Sequence, residues 1–409
     1  MAFRPYDPDR DHAAVLRIWH ETGWIPPGKD ELAGIALSCG RPLVAELDGV
    51  AECMVHTAPG TMRYLEQELP FSGVTAVATS RVARRQGLAG RLTALAVALD
   101  AAEGALLAGL GMFEQGFYDR LGFGTGPYEH FISFDPAHLV VPGKARVPRR
   151  LGTDDWALIH AARLARRRGH GALNFYAPEM TRMEMVEHEH GFGLGYCDGP
   201  QGELTHHIWF SPRNVEHGPY GILWMTFRSV EQFHELLALL KGLGDQVRLV
   251  RMREPADIQM QDLLLHPFRT RHATRGSEME SSMRAASYWQ VRICDLAGCL
   301  AQTHLPAGEV RFNLRLSDPI GAYLDEDAPW RGLAGEYVVT LGGESSARPG
   351  ADPRLPTLTA SVGAFSRMWL GVRPASGLAY TDDLAGPPEL LARLDRVLCL
   401  PQPKMEWDF

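Results

Sequence analysis

Arg84-Arg85-Gln86-Gly87-Leu88-Ala89 sets two fixed cations beside a glycine and an alanine within one turn. A β-type run, VTAVAT, leads into it from Val74, and a helix-like run, LAGRLTALAVALD, leaves it. That arrangement suits the binding of a pyrophosphate. A strand feeding such a turn aims successive backbone N–H groups at one point, and the first turn of the helix adds partial positive charge. Gly87 and Ala89 keep Cβ bulk away from the backbone, so an anion can come close. Arg84 and Arg85 supply fixed charge at the rim. The spacing, R-x-x-G-x-A, is neither the GxxxxGK(S/T) nor the GxGxxG phosphate loop.

These residues need a strand-turn-helix frame, and the flanking sequence supplies one. Asp11 to His20 carries Ala14, Val15, Ile18 and Trp19 at helical spacing. RPLVAELDG and VAECMVHTAPGTMRYL predict a strand pair turning at Asp48-Gly49. Beyond the loop and its helix, ALLAGLGMF predicts a buried strand, EQGFYDRLG a short helix and YEHFISF a strand. Pro136, Pro142 and Pro148 bracket a linker, giving a first α/β domain over residues 1–148.

Residues 149–285 repeat the alternation, with helices DDWALIHAARLARRR and EQFHELLALLKGLG and strands ELTHHIWF and YGILWMTF. No basic glycine loop joins strand to helix there, so a second domain is expected that cannot grip a pyrophosphate. Residues 286–409 read as a small α+β domain. Its strands are QVRICD, EVRFNLRLSDP, EYVVTL and LPTLTASV, its helices AGCLAQ, GAFSRMWLG and PELLARLDRVL, and SSARPGADPR is an exposed loop.

The 409-residue chain exceeds what one core organises, and its 45% hydrophobic and 22% charged shares are those of a globular protein. No run of about 18 apolar residues occurs, so no membrane span is expected. A polar N-terminus without a signal-peptide core predicts a cytoplasmic protein. The six cysteines show no CxxC pair and read as reduced thiols. A net charge of −8 argues against nonspecific nucleic-acid binding and is compatible with a cationic substrate. No metal site is expected. His188-Glu189-His190 lacks the HExxH spacing, and adjacent His206 and His207 point to opposite faces of a strand. Asp154 and Asp155 read as helix caps.

Taken together, AVATSRVARRQGLAGRL, GFYDRLGFG, YWQVRICD, LTASVGAFSRMWLG and a final Phe resemble the Eis (enhanced intracellular survival) family of GCN5-related (GNAT) N-acetyltransferases along essentially the whole chain. The resemblance implies two tandem GNAT-type mixed-sheet domains, the second degenerate, followed by a sterol-carrier-protein-like domain. It implies acetyl-CoA as cosubstrate, a cationic amine such as an aminoglycoside as acceptor, direct attack through a tetrahedral intermediate, and a homohexamer. By motif, the backbone of Val77 and Thr79 would hold the pantetheine arm. Arg84, Arg85, Gly87 and Ala89, with backbone from Leu88 and Gly90, would cradle the pyrophosphate.

Tyr118 would be the general acid, and the α-carboxylate of Phe409 the general base. A tyrosine with an ordinary pKa near 10 keeps its proton at neutral pH, and a terminal carboxylate is charged there. The expected oxyanion donor is a strand N–H near Val77 or Thr79. Trp19, Trp24 and Ile25 are expected to line the acceptor cleft, and Glu406 and Asp408 to attract the cation. One departure stands out: family loops commonly read RRRG, whereas Gln86 precedes Gly87 in this chain. Two rival readings share these residues: a protein-lysine N-acetyltransferase, and a lipid- or acyl-CoA-binding protein with a vestigial acetyltransferase domain.

Overall fold

In the computed structural model, which describes residues 2–26 and 28–409, strands and helices fall into two units. The first comprises 1–127, 170–177 and 288–409, the second 128–169 and 178–287.

The first unit is built on a mixed eight-stranded sheet. Its opening strands are β1 (Ala2–Pro5), β2 (Arg41–Leu47), β3 (Val50–Tyr64), β4 (Gln67–Thr79), β5 (Leu107–Gly111) and β6 (Gly124–Thr125). Asp48 and Gly49, with φ of 49° and 85°, make the tight β2–β3 turn expected of that pair. Helix α1 (Pro8–Thr22) starts at Asp7, whose side chain accepts from the Asp9 amide, and stops at left-handed Gly23. A helix that the sequence reading missed, α2 (Glu31–Ser38), follows. Helix α3 (Leu88–Ala102) buries Leu88, Leu92, Ala94, Ala96, Val97 and Ala98, hence nearly its whole circumference. Its small residues let it lie between the sheet and a segment carrying Ile320, Tyr323 and Leu324.

Two strands fall outside the sequence-derived domains. Trp289–Ile293, expected in the third domain, lies in the first sheet between β5 and β6, pairing Val291 with both Gly109 and Gly124. Glu129–Phe134, expected to close the first domain, pairs instead with Val250–Arg253 and Ser282–Ala286 in the second unit. Alternating apolar residues identify a strand but leave its neighbours open.

The rest of the first unit is a five-stranded sheet ordered Ser346–Pro349, Gly335–Leu341, Val310–Ser317, Thr357–Ser361, Leu384–Ala385. Ser346–Pro349, expected as loop, is its edge strand. Two contacts fasten this part to the first sheet. Helix Val362–Trp369 runs so close to β6 that a Cβ on Gly124 would meet the Gly363 carbonyl oxygen at 2.4 Å. Arg292 and Asp318 form a fully buried ion pair at 2.6 Å.

The second unit has a seven-stranded sheet, with helix Val230–Gly242 covering a core that includes Ile208, Phe210, Val250 and Met252. This helix caps itself: Ser229 Oγ accepts the Gln232 amide at 3.3 Å. In place of a cationic glycine turn, its N-terminus thus carries a side-chain cap.

Candidate active site

The site begins with a flaw in β4. Met54 pairs with Ala78 and His56 with Thr75, so Ala76 and Val77 together oppose Val55. Ala76 absorbs the extra residue at a φ of 51°, a left-handed conformation that costs a non-glycine residue about 1–2 kcal/mol. Parallel pairing of β4 with β5 ends at Val74 and Leu110, although β4 continues to Thr79. Beyond Val74 the two strands part, leaving the backbone edge of residues 75–79 facing a cleft of about 1120 Å³. An extended amide-bearing chain could take the place of the missing strand there.

The loop after β4 is anchored at its start and open at its end. Ser80 donates its amide to the Glu52 carbonyl, and Arg81 to the Glu21 carboxylate at 2.7 Å. Arg85 and Gly87 are both left-handed, at 64° and 78°, and Gly87 stands at the N-cap of α3 without a side-chain cap. Among the described residues, the amides of Gly87, Leu88, Ala89 and Gly90 have no acceptor. Orphaned donors at a helix start beside alternating left-handed residues form an anion-binding concavity. Arg84 and Arg85 are exposed and, among the described residues, outside any ion pair. Arg91 is committed elsewhere, to Asp325 at 3.1 Å and to the Phe3 ring. The donors and charges present fit the pyrophosphate of a coenzyme A molecule.

Tyr118 lies across the cleft. The expected short helix is a single 3₁₀ turn, Asp119–Leu121, with Tyr118 at its N-cap and left-handed Gly122 ending it. Tyr118 is 2% exposed, and its ring meets Phe117 edge-on at 4.8 Å, with Phe113 and Phe123 near 6 Å. Burial, with a smaller contribution from the Cys53 thiol, pushes its pKa well above the ordinary tyrosine value. Its proton therefore stays in place throughout the neutral range.

Phe409 also lines this cleft. The Lys404 amide donates to the His170 carbonyl, and the Leu173 amide to the Met405 carbonyl. Leu173–Phe175 itself adds to β3. Met405 and Trp407 are buried, and the Phe409 ring sits edge-on to Phe175 at 4.9 Å and to Phe71 at 6.0 Å. Three glycines make room. A Cβ on Gly73 would strike the Phe175 ring at 2.6 Å, one on Gly109 the Phe71 ring at 2.7 Å. One on Gly111 would lie 3.4 Å from the Phe409 backbone oxygen.

One cleft therefore gathers Val77, Thr79, Arg84, Arg85, Gly87, Leu88, Ala89, Gly90, Trp24, Tyr118 and Phe409. Trp19 is not on its wall: at 2% exposure it shares the inward face of α1 with Val15 and Ile18, the position its helical spacing dictates. Ile25 is likewise buried. Asp408 is exposed and accepts the Tyr288 hydroxyl at 3.2 Å. The sequence reading missed Phe113, Phe117 and Arg120, which also line the cleft. The aromatic spacing in GMFEQGFY was the available signal.

In the second unit, Asp198, His206 and Glu235 converge closely enough to resemble a metal site. Arg146 fills that role as the cation, reaching Asp198 at 2.7 Å and Glu235 at 2.7 Å. His207 faces the other way, accepting from Trp224 Nε1 at 3.0 Å.

Residues 20–126 match the acetyltransferase (GNAT) domain family. Solved structures superpose over the full length. GCN5-related N-acetyltransferases from Anabaena variabilis (15% identity, 100% of both chains, TM-score 0.80) and Kribbella flavida (18%, 100% of this chain and 98% of that one, 0.75) are two. Eis1 from Mycobacterium abscessus is another, at 15% identity, 100% of both chains and a TM-score of 0.78. Among curated proteins no sequence match is found. The superpositions establish a GNAT-like mixed α/β fold, and the domain match adds the activity: the protein is an N-acetyltransferase.

Proposed function

We propose that the first unit transfers the acetyl group of acetyl-CoA to a primary amine of a small molecule, in the manner of the Eis family. We read the chain as a catalytic GNAT module, a second that shapes the molecule without binding the cosubstrate, and a sterol-carrier-like module whose last residues enter the cleft. The observation carrying this reading is the meeting, in one cleft, of four orphaned helix amides, an unpaired β4 edge, a buried phenol and the Phe409 terminus.

Bound acetyl-CoA supplies the acyl thioester; the rest falls to this chain. The amides of Gly87 through Gly90, with Arg84 and Arg85, hold the pyrophosphate. The backbone of Val77 and Thr79 orients the pantetheine arm and offers an N–H to developing negative charge on the carbonyl oxygen. The Phe409 carboxylate takes a proton from the incoming ammonium, directly or through water, because only the neutral amine can attack. As the new C–N bond forms and the C–S bond breaks, Tyr118, protonated at neutral pH, gives its proton to the leaving sulfur. It regains one from the attacking nitrogen, which sheds its second proton on becoming the amide.

Calorimetry with coenzyme A tests the reading at its root. Saturable binding that weakens on replacing both Arg84 and Arg85 by Ala is the expected result, and the absence of heat with wild-type protein overturns it.

A further inference from the structure

We infer that the amine acceptor carries a single ammonium group on an aromatic or aliphatic body and is not a polycation; this rests on the acetyl-transfer reading above. The charged side chains lining the cleft are Arg84, Arg85 and Arg120, and among its described lining residues there is no aspartate or glutamate. The anion available to an acceptor is the Phe409 α-carboxylate, which matches one ammonium group. Each further ammonium would lose water without gaining a partner, beside Arg120, the lining arginine that the pyrophosphate does not take.

Three acids near the cleft-lining segments already hold hydrogen bonds. Glu21 accepts the Arg81 amide, Asp119 the Gln290 side chain at 2.5 Å, and Asp408 the Tyr288 hydroxyl. Aromatic surface takes the place of negative charge. Trp24 and Phe113, on the cleft wall, are 46% and 73% exposed, with Phe117 beside Phe113 at a ring separation of 5.6 Å. Rings left wet in this way are stabilised when an apolar body covers them, and Trp24 can also take a lone ammonium against its face.

The test measures thiol release from acetyl-CoA with 2-phenylethylamine, spermidine and kanamycin as competing acceptor types. The expected kcat/KM for 2-phenylethylamine exceeds that of either polycation by at least about tenfold, the scale of one desolvated cation–π contact. Trp24→Ala should lower it about tenfold through KM while leaving the KM for acetyl-CoA unchanged, with Trp24→Phe restoring most of it. Phe113→Glu, at a position 73% exposed, should narrow the gap by improving the polycations. Equal or better turnover of spermidine or kanamycin by the wild type overturns the inference while leaving acetyl transfer intact. No thiol release with any amine, together with no coenzyme A binding, overturns the acetyl-transfer reading itself.

Discussion

Tyr118→Phe removes one oxygen atom from the site and almost nothing from the fold. The ring is buried among Phe113, Phe117 and Phe123, and phenylalanine retains those contacts. Among the described residues the hydroxyl makes no hydrogen bond, so deletion orphans no buried partner. The change in folding stability should therefore stay within about 0.5 kcal/mol, the range of substitutions that break no network. Catalysis should respond differently. Loss of a positioned general acid slows the chemical step by roughly 10²–10⁴-fold, which corresponds to about 2.7–5.4 kcal/mol of barrier. The informative assay pairs thermal melting with steady-state thiol release and calorimetric coenzyme A binding. An unchanged melting temperature, unchanged affinity and a kcat at least about 100-fold lower is the predicted pattern. A kcat within twofold of wild type would refute the acid assignment, because no folding defect could be masking it.

Appending one residue after Phe409 should cut kcat/KM by at least about tenfold with coenzyme A affinity unchanged, since the carboxylate leaves its place; a wild-type rate excludes it as base. Gly87→Ala forces a side chain into a left-handed position, costing about 1–2 kcal/mol, and should weaken coenzyme A binding several-fold by calorimetry. Gly73→Ala drives a Cβ into the Phe175 ring and should destabilise the first unit by about 1–3 kcal/mol, read as a lower melting temperature and reduced activity. In the second unit, hydrogen bonding to Arg146 depresses Glu235 to about 2. Its stabilisation is present above the ordinary carboxylate range of about 4.3 and is lost as pH falls toward 2, so Arg146→Gln should flatten that acid limb in a pH series of denaturation midpoints.

The strand, basic turn and helix around Gly87 were legible because a strand-to-helix junction with glycine and arginine constrains backbone and charge together. Tyr118 and Phe409 came through resemblance, and the geometry brings both to the same cleft. The bulge that opens the cleft was not legible: Ala76 carries no residue-type signal for a positive φ, as a glycine would. Trp19 was misplaced because an aromatic in an amphipathic helix fits core or cleft equally well until the facing element is known. Phe113 and Phe117 lie in a stretch without helix or strand periodicity, so the aromatic spacing of GMFEQGFY was the one mark of their common wall. The exchange of Trp289–Ile293 for Glu129–Phe134 was out of reach, because pairing partners distant in sequence leave no local trace.

That exchange governs how the protein can be made and divided. The strand between β5 and β6 is synthesised only after the entire second unit, so at about 5–20 residues per second the nascent first sheet waits on the ribosome with unfilled edges. Exposed edges of that kind invite pairing with other chains. A recombinant fragment ending near residue 148 would retain every phosphate-binding residue yet lack the β-strand that closes its framework, and insolubility of such a fragment would reflect topology rather than a poor choice of boundary.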